Sequence, residues 1–409
     1  MLKKIFSSFK WDNITKLSLI YFFSAFYLYL PFVTLYYQHR GLSLLQISSL
    51  QSIIIGITFL TNIPTGIFAD KIGRKISIIL SIGLQLLGEV LFFFARSYPE
   101  FVLIAIIAGI GFSFTIGTVS ALTFETLKEE RKEGDMGKAT GSRMAIESLA
   151  RIIAPLLGGL LIAPFTVNRF MFLIVITIIA VFVSLILTFT LKEPGNINRK
   201  KIQKKPFQLF FDGFNLLKLN DSLRRIVLLS LFTNPLISFL FILYQPYFVK
   251  SGVALWMFGL TLSAGAIFSL LGNKFAYKFE RVFGVERGIL FATLFPALLY
   301  FLMSIVYHPI LSFIFVCLIY LPLGLQDPLF TDYQNKHISD ENRATMISLI
   351  SMLNNIYIAA MGLVIGYLAD KSLNLAFLCI GGIIFFSSFM FRINLSHVRK
   401  SSPVSLRGA

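Results

Sequence analysis

Cysteine is nearly absent from this chain, since only Cys317 and Cys379 occur and both lie inside long apolar segments. Two isolated cysteines provide neither a disulfide framework nor a cysteine-based metal site. The four histidines are scattered at segment ends and in loops, and the chain lacks a glycine-lysine loop that could hold a nucleotide phosphate. These absences argue against a hydrolytic enzyme, and we expect neither a cofactor nor a metal ion.

Charged residues are also few. They make up 14% of the chain, against 56% hydrophobic residues, and the mean hydropathy is +0.78. Soluble domains are about half apolar and about one quarter charged, so a water-soluble fold could not bury this much apolar surface. A helix needs about 20 apolar residues to cross the hydrocarbon core of a membrane, so a chain of this length has room for about a dozen spans.

Twelve apolar segments fit that length, and we number them spans 1 to 12 in chain order. They cover residues 17–37, 46–69, 76–95, 101–124, 143–163, 169–191, 226–249, 254–275, 288–306, 309–330, 344–369 and 373–395. Strands of an outer-membrane barrel would alternate apolar and polar residues, whereas stretches such as 53–60 are continuously apolar. The sequence therefore predicts an all-α membrane protein with twelve transmembrane helices.

The formal net charge of +17 could indicate a nucleic-acid partner, but the basic residues concentrate in alternate loops. With the N-terminus in the cytoplasm, 30 of the 37 Lys and Arg residues fall on the inner side and five on the outer side. This asymmetry follows the positive-inside rule for membrane proteins. We therefore expect a multi-pass protein of the bacterial plasma membrane with both termini in the cytoplasm, and no nucleic-acid partner.

The chain divides into two similar halves. The predicted units are a six-helix bundle over 1–195, a cytoplasmic central loop over 196–224, a second six-helix bundle over 225–396 and a cytoplasmic tail over 397–409. Similar segments open span 5 (138–142) and span 11 (343–348), and each follows an acidic residue, Glu125 or Asp332. Such matched positions indicate two pseudo-symmetric six-helix bundles.

The central loop contains a basic run over 199–205, followed by a segment over 207–217 that mixes aromatic and polar residues. That segment could form an interfacial helix on the anionic inner leaflet. A solvated linker is the alternative.

The loop after span 2 carries the most specific motif, Gly-Ile-Phe-Ala-Asp-Lys-Ile-Gly-Arg-Lys over residues 66–75. A glycine, an acidic residue, a second glycine and paired basic residues in this place resemble the signature loop of the major facilitator superfamily. The resemblance extends over the whole chain in the number of spans and their repetition. It implies a bacterial-type, twelve-helix, monomeric transporter that moves a small-molecule substrate across the lipid bilayer by alternating access.

In that family the loop acts as a conformational latch. The latch residues would be Gly66, Asp70, Gly73, Arg74, Lys75 and Arg343. The resemblance implies that Asp70 engages the start of span 11 near Arg343, while the two basic residues of the loop meet acidic groups or lipid head groups. We expect Gly66 to permit close helix packing and Gly73 to permit the sharp turn. An ordinary positive-inside turn is the alternative.

Span 5 contains Ala-Pro-Leu-Leu-Gly-Gly over residues 154–159. This segment resembles the glycine–proline motif of proton-coupled exporters in the same family, except that Ala154 replaces its leading glycine. Plain helix packing is the alternative explanation. The other exporter motif is missing, because Ala105 stands in span 4 where that motif has an arginine. The resemblance therefore favours export but supports proton antiport less strongly.

Charged residues inside spans are the candidates for ion coupling, because each costs about 3 kcal/mol at the bilayer centre on insertion scales. They are Glu89, Glu147, Arg151 and Asp327. Arg143, Glu147 and Arg151 are spaced by four, which predicts an ion-pair ladder on one helix face. Glu89 lies about 20 Å into span 3 and either carries a proton or hydrogen-bonds to a neighbouring helix. Asp327 could serve in the same way, or could cap a helix broken at the following proline.

The resemblance places the substrate near the membrane midplane, where spans 1, 4, 7 and 10 line the family's cavity. The candidate cavity residues are Phe26, Tyr29, Ser113, Asn234, Tyr244, Tyr320 and Gln326. These weakly polar and aromatic side chains suit an uncharged or amphipathic solute. Each could instead pack against lipid or a neighbouring helix.

Three functions are consistent with these features. Proton-coupled efflux of an amphipathic or uncharged solute is favoured by the span 5 motif. Gradient-driven uptake of a nutrient or metabolite is the second, and a transporter-like sensor without net transport is the third. Because the sequence lacks a nucleotide site, transport would draw its energy from an ion or solute gradient, with the proton as the first candidate ion.

Overall fold

The computed structural model describes residues 11–195, 206–338 and 342–392, and the helices dominate all three stretches. They are Asn13–Ser24, Val33–His39, Leu44–Ile72, Arg74–Phe94, Tyr98–Thr115, Thr118–Glu129, Met136–Ile162, Val167–Phe189, Pro206–Leu219, Asp221–Ser238, Leu240–Ser251, Leu255–Phe283, Val285–Ile305, Pro309–Lys336, Arg343–Lys371 and Leu373–Met390. Among the described residues, ten helical stretches are long and apolar enough to cross a membrane, and one bent pair makes an eleventh. The prediction of an all-α membrane protein is confirmed.

Span 1 differs from its prediction, because the expectation of one continuous helix over 17–37 is wrong. The chain instead forms Asn13–Ser24, a short non-helical stretch, a 3₁₀ turn over Leu30–Phe32 and then Val33–His39. Pro31 explains the interruption, since it has no N–H to donate and its ring disfavours a helical residue before it. The break sets Tyr27 and Tyr29 outside regular helix.

Spans 4 and 7 are also interrupted. In span 4 the helix stops at Thr115 and resumes at Thr118, with Gly117 at a φ of +75° between them. Glycine adopts that conformation without steric cost. Span 7 bends by 43° between Ser238 and Leu240. There the Ser238 hydroxyl donates to the carbonyl of Pro235, and the N–H of Phe239 donates to the carbonyl of Leu236 only three residues before it, which departs from the α-helical ladder.

The described residues separate into two compact units, one with 11–195 and Ala254–Ser263, the other with 206–253 and 264–392. Equivalent span pairs pack closely in each unit. In the first, a Cβ at Gly109 of span 4 would lie 2.8 Å from the Ile54 carbonyl oxygen of span 2. In the second, a Cβ at Gly272 of span 8 would lie 2.5 Å from the Leu321 carbonyl oxygen of span 10. Glycine thus permits the same close helix contact in both units.

The segment after the central basic run is helical, over Pro206–Leu219. Leu217 is buried in the core of the second unit, and a Cβ at Gly213 would lie 3.0 Å from the side chain of Leu349 in span 11. A position on the inner leaflet stays a prediction. The basic run over 199–205 and the tail over 397–409 lie outside the described residues.

Candidate functional site

Glu89 of span 3 lies in the interior of the first unit and is only 8% exposed. Its Oε2 atom accepts a hydrogen bond from the hydroxyl of Tyr29 at 2.8 Å, and the hydroxyl of Tyr27 also interacts with this carboxyl. Among the residues that the structure describes, Glu89 forms no ion pair with a Lys or Arg. Two tyrosine hydroxyls therefore connect the carboxyl to the non-helical part of span 1. In this structure Glu89 is thus hydrogen-bonded to a neighbouring span, which was one of the two alternatives for this residue.

Gln85 extends this polar cluster by one helical turn. Its Nε2 atom donates to the Tyr27 hydroxyl at 2.7 Å and to the backbone carbonyl of Ser24 at 2.8 Å. The ring of Tyr29 stacks on Phe92 at a centroid distance of 5.2 Å, which covers the cluster on one side. Sequence reasoning missed the roles of Tyr27 and Gln85. The signal that could have found them is Pro31, because a broken helix leaves carbonyl groups such as that of Ser24 in need of donors.

The ion-pair ladder predicted in span 5 is confirmed. Arg143 Nη1 lies 2.8 Å from Glu147 Oε2, and Arg151 Nη2 lies 2.9 Å from Glu147 Oε1. The two arginines differ in environment. The side chain of Arg143 is 18% exposed and its guanidinium lies 5.0 Å from the ring centroid of Tyr21, whereas that of Arg151 is 61% exposed. Arg143 therefore contributes the more shielded half of the ladder.

The signature loop after span 2 is held by charges within the first unit. Arg74 Nη2 lies 2.6 Å from Asp70 Oδ1, and Arg74 Nε lies 3.6 Å from Oε1 of Glu125 at the end of span 4. Gly73 adopts a φ of +127°, as expected for the sharp turn. The expectation that Gly66 permits close packing is wrong, because a Cβ there would meet no atom within 4 Å among the described residues.

Glu193, which follows span 6, completes this loop and was missed by sequence reasoning. Its carboxylate accepts hydrogen bonds from the backbone N–H of Arg74 at 2.7 Å and of Lys75 at 2.6 Å. The Lys75 ammonium donates to the carbonyl of Phe189, also in span 6, at 2.8 Å. A carboxylate at this position satisfies orphan N–H groups at the start of span 3 and favours the positive end of the helix dipole.

Arg343, the remaining latch residue, is the first residue of the helix Arg343–Lys371 in the second unit. The first unit contains the other five candidates. An engagement of Asp70 with the start of span 11 stays a prediction.

Asp327 lies in the second unit and is exposed. Its Oδ1 atom accepts a hydrogen bond from Nδ2 of Asn234, in span 7, at 3.3 Å. The helix Pro309–Lys336 continues through Pro328, so Asp327 does not cap a broken helix end. The structure thus brings a coupling candidate and a cavity candidate into contact.

Packing against a neighbour accounts for most of the other cavity candidates. Ser113 donates to the carbonyl of Ile110 within span 4 at 2.7 Å. Gln326 is fully buried and its Nε2 atom donates to the Ala292 carbonyl of span 9 at 2.6 Å. Tyr244 is also fully buried. These side chains support helix packing in this structure instead of lining open space.

Two aromatic candidates are also placed by their neighbours. Phe26 is half-buried, with its ring centroid 5.7 Å from that of Phe22. Tyr320 packs against span 8, where a Cβ at Gly265 would lie 2.6 Å from its ring. Neither contributes a polar group to the clusters around Glu89 and Asp327.

The second unit contains a cavity of about 420 Å³ between spans 10 and 11. Its polar lining is uncharged. The helix Pro309–Lys336, which extends beyond span 10, and span 11 contribute three side chains each, namely Thr331, Gln334, Asn335, Ser351, Asn354 and Asn355. Sequence reasoning missed this cavity, although its polar residues interrupt the apolar pattern of span 11 and follow directly after span 10.

Comparison with known proteins identifies a matching protein family. The sequence model of the Major Facilitator Superfamily matches residues 17–360. Multidrug resistance protein 1 of Bacillus subtilis (strain 168) is 24% identical over 318 residues, which cover 76% of this chain and 77% of the relative. The uncharacterized MFS-type transporter YxaM of the same organism is 23% identical over 367 residues, 86% of this chain and 89% of the relative.

Two solved structures share the fold. A mutant of the nucleoside transporter NupG superposes with a TM-score of 0.77 at 15% identity, over 93% of this chain and 99% of that chain. A bacterial homolog to the human lysosomal transporter Spinster, inward-facing and unoccupied, has a TM-score of 0.74 at 14% identity, over 96% of this chain and 98% of that chain. At such identities the likeness concerns the fold alone.

Proposed function

Because the chain belongs to the major facilitator superfamily, we propose that it exports an amphipathic solute across the bacterial plasma membrane in exchange for protons, with Glu89 as the proton-carrying carboxyl. Family membership makes the chain a multi-pass membrane transporter of a small molecule. The proposal goes beyond family membership in three respects, namely the direction of transport, the coupling ion and the role of Glu89.

The hydrogen bond between Tyr29 and Glu89 carries the proposal. A buried carboxylate without a cationic partner is costly, so proton binding relieves that cost. When ionised, Glu89 can only accept the hydrogen bond from Tyr29, whereas a protonated carboxyl becomes a donor itself. A protonated carboxyl can still accept from Tyr29, so gain of a proton would add a donor that needs an acceptor at the contact between span 3 and the break in span 1. This gives protonation a mechanical consequence in a span expected to line the cavity.

The direction of transport rests on separate observations. The span 5 motif at residues 154–159 resembles that of exporters, and the relative from Bacillus subtilis is named a multidrug resistance protein. The positive-inside asymmetry predicts that both termini lie in the cytoplasm. Export of an amphipathic compound is therefore proposed ahead of nutrient uptake.

The remaining candidates have supporting roles in this proposal. Asp70, Arg74 and Lys75 would hold the cytoplasmic loop in one state and release it in another, with Arg343 at the start of span 11 as the distant partner. The ladder of Glu147 and its two arginines would keep span 5 rigid while the units alternate, because its charges neutralise one another.

The test uses everted membrane vesicles with an acidified lumen and a pH-sensitive dye. Addition of lipophilic compounds should release protons with wild-type protein and not with Glu89→Gln. Glu130→Gln is the matched control, since Glu130 is an exposed carboxyl paired with Lys132, and this variant should behave like wild type.

Three other results would redirect the proposal. Proton release by Glu89→Gln at the wild-type rate would remove Glu89 from the coupling mechanism. Accumulation of a nutrient by intact cells, with no proton release in everted vesicles, would establish uptake instead. A signalling defect in Asp70→Asn without any solute flux would favour a sensor.

A further inference from the structure

The helix of span 4 is interrupted at membrane depth. It ends at Thr115 and resumes at Thr118, and the two residues between them, Ile116 and Gly117, are exposed. The resumed helix has 12 residues, so the break lies about 18 Å from the end that we expect to face the cytoplasm. Non-helical backbone inside a membrane occurs where protein buries it or where it lines a water-filled space, and not against lipid. Because the two residues are exposed, we expect water to reach them.

The backbone around this break needs partners from outside its own helix. Ser81 Oγ of span 3 donates to the carbonyl of Gly111 at 2.8 Å, and Thr65 Oγ1 of span 2 donates to the carbonyl of Ser113 at 3.2 Å. Gly117, at the N-cap of the resumed helix, has no side chain that could accept from the first N–H groups of that helix. Water is the usual partner of such N–H groups.

Polar side chains connect the break to Glu89 along one face of span 3. Ser81, Gln85 and Glu89 are spaced by four, so they lie one helical turn apart on the same face. Ser81 Oγ lies 2.6 Å from Oγ1 of Thr115, the last residue before the break. Gln85 donates to the hydroxyl of Tyr27, which interacts with the Glu89 carboxyl. Hydroxyl and amide groups thus extend from Glu89 to the break over about 12 Å of span 3.

A tyrosine beside the break also points to water. The hydroxyl of Tyr21, in span 1, is buried and has no hydrogen-bond partner among the described residues. It lies near the side chain of Thr115, and the guanidinium of Arg143 lies 5.0 Å from the centroid of its ring. Buried polar atoms are rarely left unsatisfied, and buried water is the common partner where no side chain is available. A water molecule that bonds to Tyr21 would lie within reach of Thr115.

Aromatic rings close the other side of Glu89. Phe92, Phe101 and Phe170 come from spans 3, 4 and 6 and are buried. The ring of Phe170 lies 5.6 Å from that of Tyr29, and the ring of Phe101 lies 5.8 Å from that of Phe92, measured between centroids. Apolar rings offer no group that could accept or pass on a proton. A proton that leaves Glu89 therefore meets rings on this side and hydroxyl groups on the side of the break.

We propose that the break in span 4 is the water-filled exit through which Glu89 releases its proton to the cytoplasm. The protonated carboxyl gives its proton to the Tyr27 hydroxyl, which passes its own proton by way of water to the hydroxyls of Ser81 and Thr115 and on to water at the break. Each hydroxyl gains one proton and gives one. Glu89 becomes a carboxylate, and water at the break takes up the proton.

The residues of this route have two different roles. Tyr27, Ser81 and Thr115 relay the proton, because a hydroxyl both donates and accepts a hydrogen bond. Gln85 is a positioning residue, whose amide holds the Tyr27 hydroxyl in place. The inference rests on the proposed function, since it supplies the route for the proton that Glu89 carries.

The first experiment follows the protonation of Glu89 itself. Full-length protein in lipid nanodiscs is taken through a rapid change of pH, and infrared spectroscopy records the carboxyl band that Glu89→Gln lacks. Thr115→Val keeps the shape of the side chain without its hydroxyl and should slow the change of this band about 3- to 10-fold. Thr115→Ser restores the hydroxyl and should return the rate to that of wild type. The final height of the band should be equal in all three proteins, because the contacts of the carboxyl itself are unchanged.

Two serines of span 3 distinguish this exit from a path that continues along the helix. Ser81→Ala removes a relay hydroxyl and should slow the band as Thr115→Val does. Ser77→Ala is the matched control, since Ser77 is also buried but its hydroxyl donates to the carbonyl of Gly73 at 2.9 Å, away from the break. It should behave like wild type. Wild-type rates in both Ser81→Ala and Thr115→Val would overturn the inference, and so would equal slowing by Ser77→Ala.

The second experiment measures water at the break in the wild-type protein. Hydrogen exchange followed by mass spectrometry in nanodiscs should be faster for residues 116–120 than for residues 102–110, in the uninterrupted helix of the same span. This measurement needs no variant, so a failure to fold cannot affect it. Equally slow exchange in the two segments would overturn the inference, because a dry break could not accept a proton.

Failure of this exit and failure of the proposed antiport give different results. If the band of Glu89 depends on the two hydroxyls as expected but wild-type vesicles never exchange protons for a solute, the exit stands and antiport fails. If everted vesicles release protons with wild type and not with Glu89→Gln, while Thr115→Val and Ser81→Ala leave the rate of the band unchanged, antiport stands and the exit fails.

Discussion

The carboxylate of Glu193 occupies the space in which a side chain at Gly73 would begin. A Cβ at residue 73 would lie 2.9 Å from both Cδ and Oε1 of Glu193, and the backbone there has a φ of +127°. Glycine is therefore required at this position by conformation, and a side chain there would also displace the Glu193 carboxylate. The turn that opens span 3 and the end of span 6 form one structural element.

Gly73→Ala should destabilise the protein by about 1–3 kcal/mol, because the backbone region is essentially restricted to glycine. Gly83→Ala is the matched control in the same span, where an added Cβ meets no atom within 4 Å among the described residues. That change should be neutral or stabilising by about 0.5–1 kcal/mol. The midpoints of thermal unfolding in detergent measure both effects. Equal midpoints for the two variants would show that residue 73 tolerates a side chain.

Glu193→Ala should loosen the first turn of span 3, since the N–H groups of Arg74 and Lys75 lose their acceptors. Glu193→Gln keeps one acceptor and loses the charge, so its effect should be smaller, about 0.3–1 kcal/mol. Hydrogen exchange followed by mass spectrometry on the peptide that spans the loop reports this directly. Faster exchange in Glu286→Ala as well, a change at an ion pair with Arg392 in the second unit, would mean that the effect is not local.

Local patterns in the sequence explain what could be predicted. The spans follow from apolar runs of membrane length, and the ladder at Glu147 follows from a spacing of four on a helix. Both are properties of a single segment. The family resemblance likewise depends on ten consecutive residues, 66–75, and their place between two spans.

Contacts between distant segments explain what could not be predicted. Tyr29 and Glu89 are 60 residues apart, and Glu193 and Arg74 are 119 residues apart, so periodicity does not reveal either contact. Glycines show the same limit. Gly66 faces open space among the described residues whereas Gly158 lies against a backbone carbonyl, and both stand in apolar helices. Which helices are neighbours decides between the two cases.

Tyr29→Phe should reduce proton release in everted vesicles about 3- to 10-fold, the effect expected from loss of one hydrogen bond. The ring remains, so stacking on Phe92 is kept and the variant should reach the membrane in normal amounts. Tyr98→Phe removes a hydroxyl that contacts Ser49 in the same unit and should transport normally. Proton release by Tyr29→Phe at the wild-type rate would show that the hydrogen bond between Tyr29 and Glu89 is not needed for proton coupling.

Arg143→Gln and Arg151→Gln should differ in stability although both remove one partner of Glu147. Arg143 is shielded and also contacts the ring of Tyr21, so its loss should cost about 1–3 kcal/mol. The Arg151 side chain is mostly uncovered by other parts of the protein, so its removal should cost less than that of Arg143. Unfolding midpoints of the two variants measure this difference. Equal losses for the two variants would contradict the difference in shielding.

Gly158→Ala should severely lower the amount of folded protein in the membrane. An added Cβ would overlap the carbonyl oxygen of Leu28, in the non-helical part of span 1, and backbone atoms cannot move aside as a side chain can. Overpacking of this kind costs about 1–3 kcal/mol or more. Gly141→Ala is the control on the same helix, since its Cβ would meet no atom within 4 Å among the described residues.

The two variants also separate the explanations for the span 5 motif. If the glycine serves packing alone, the Gly158→Ala protein that does fold should exchange protons at the wild-type rate per molecule. If the motif also controls motion of span 5, transport per molecule should fall while unfolding midpoints recover in stabilising lipid. Normal abundance and normal transport in Gly158→Ala would show that the backbone at Leu28 can move to make room for the added Cβ. The contact between residue 158 and Leu28 would then not be what holds the break in span 1, and with it Tyr29, in place.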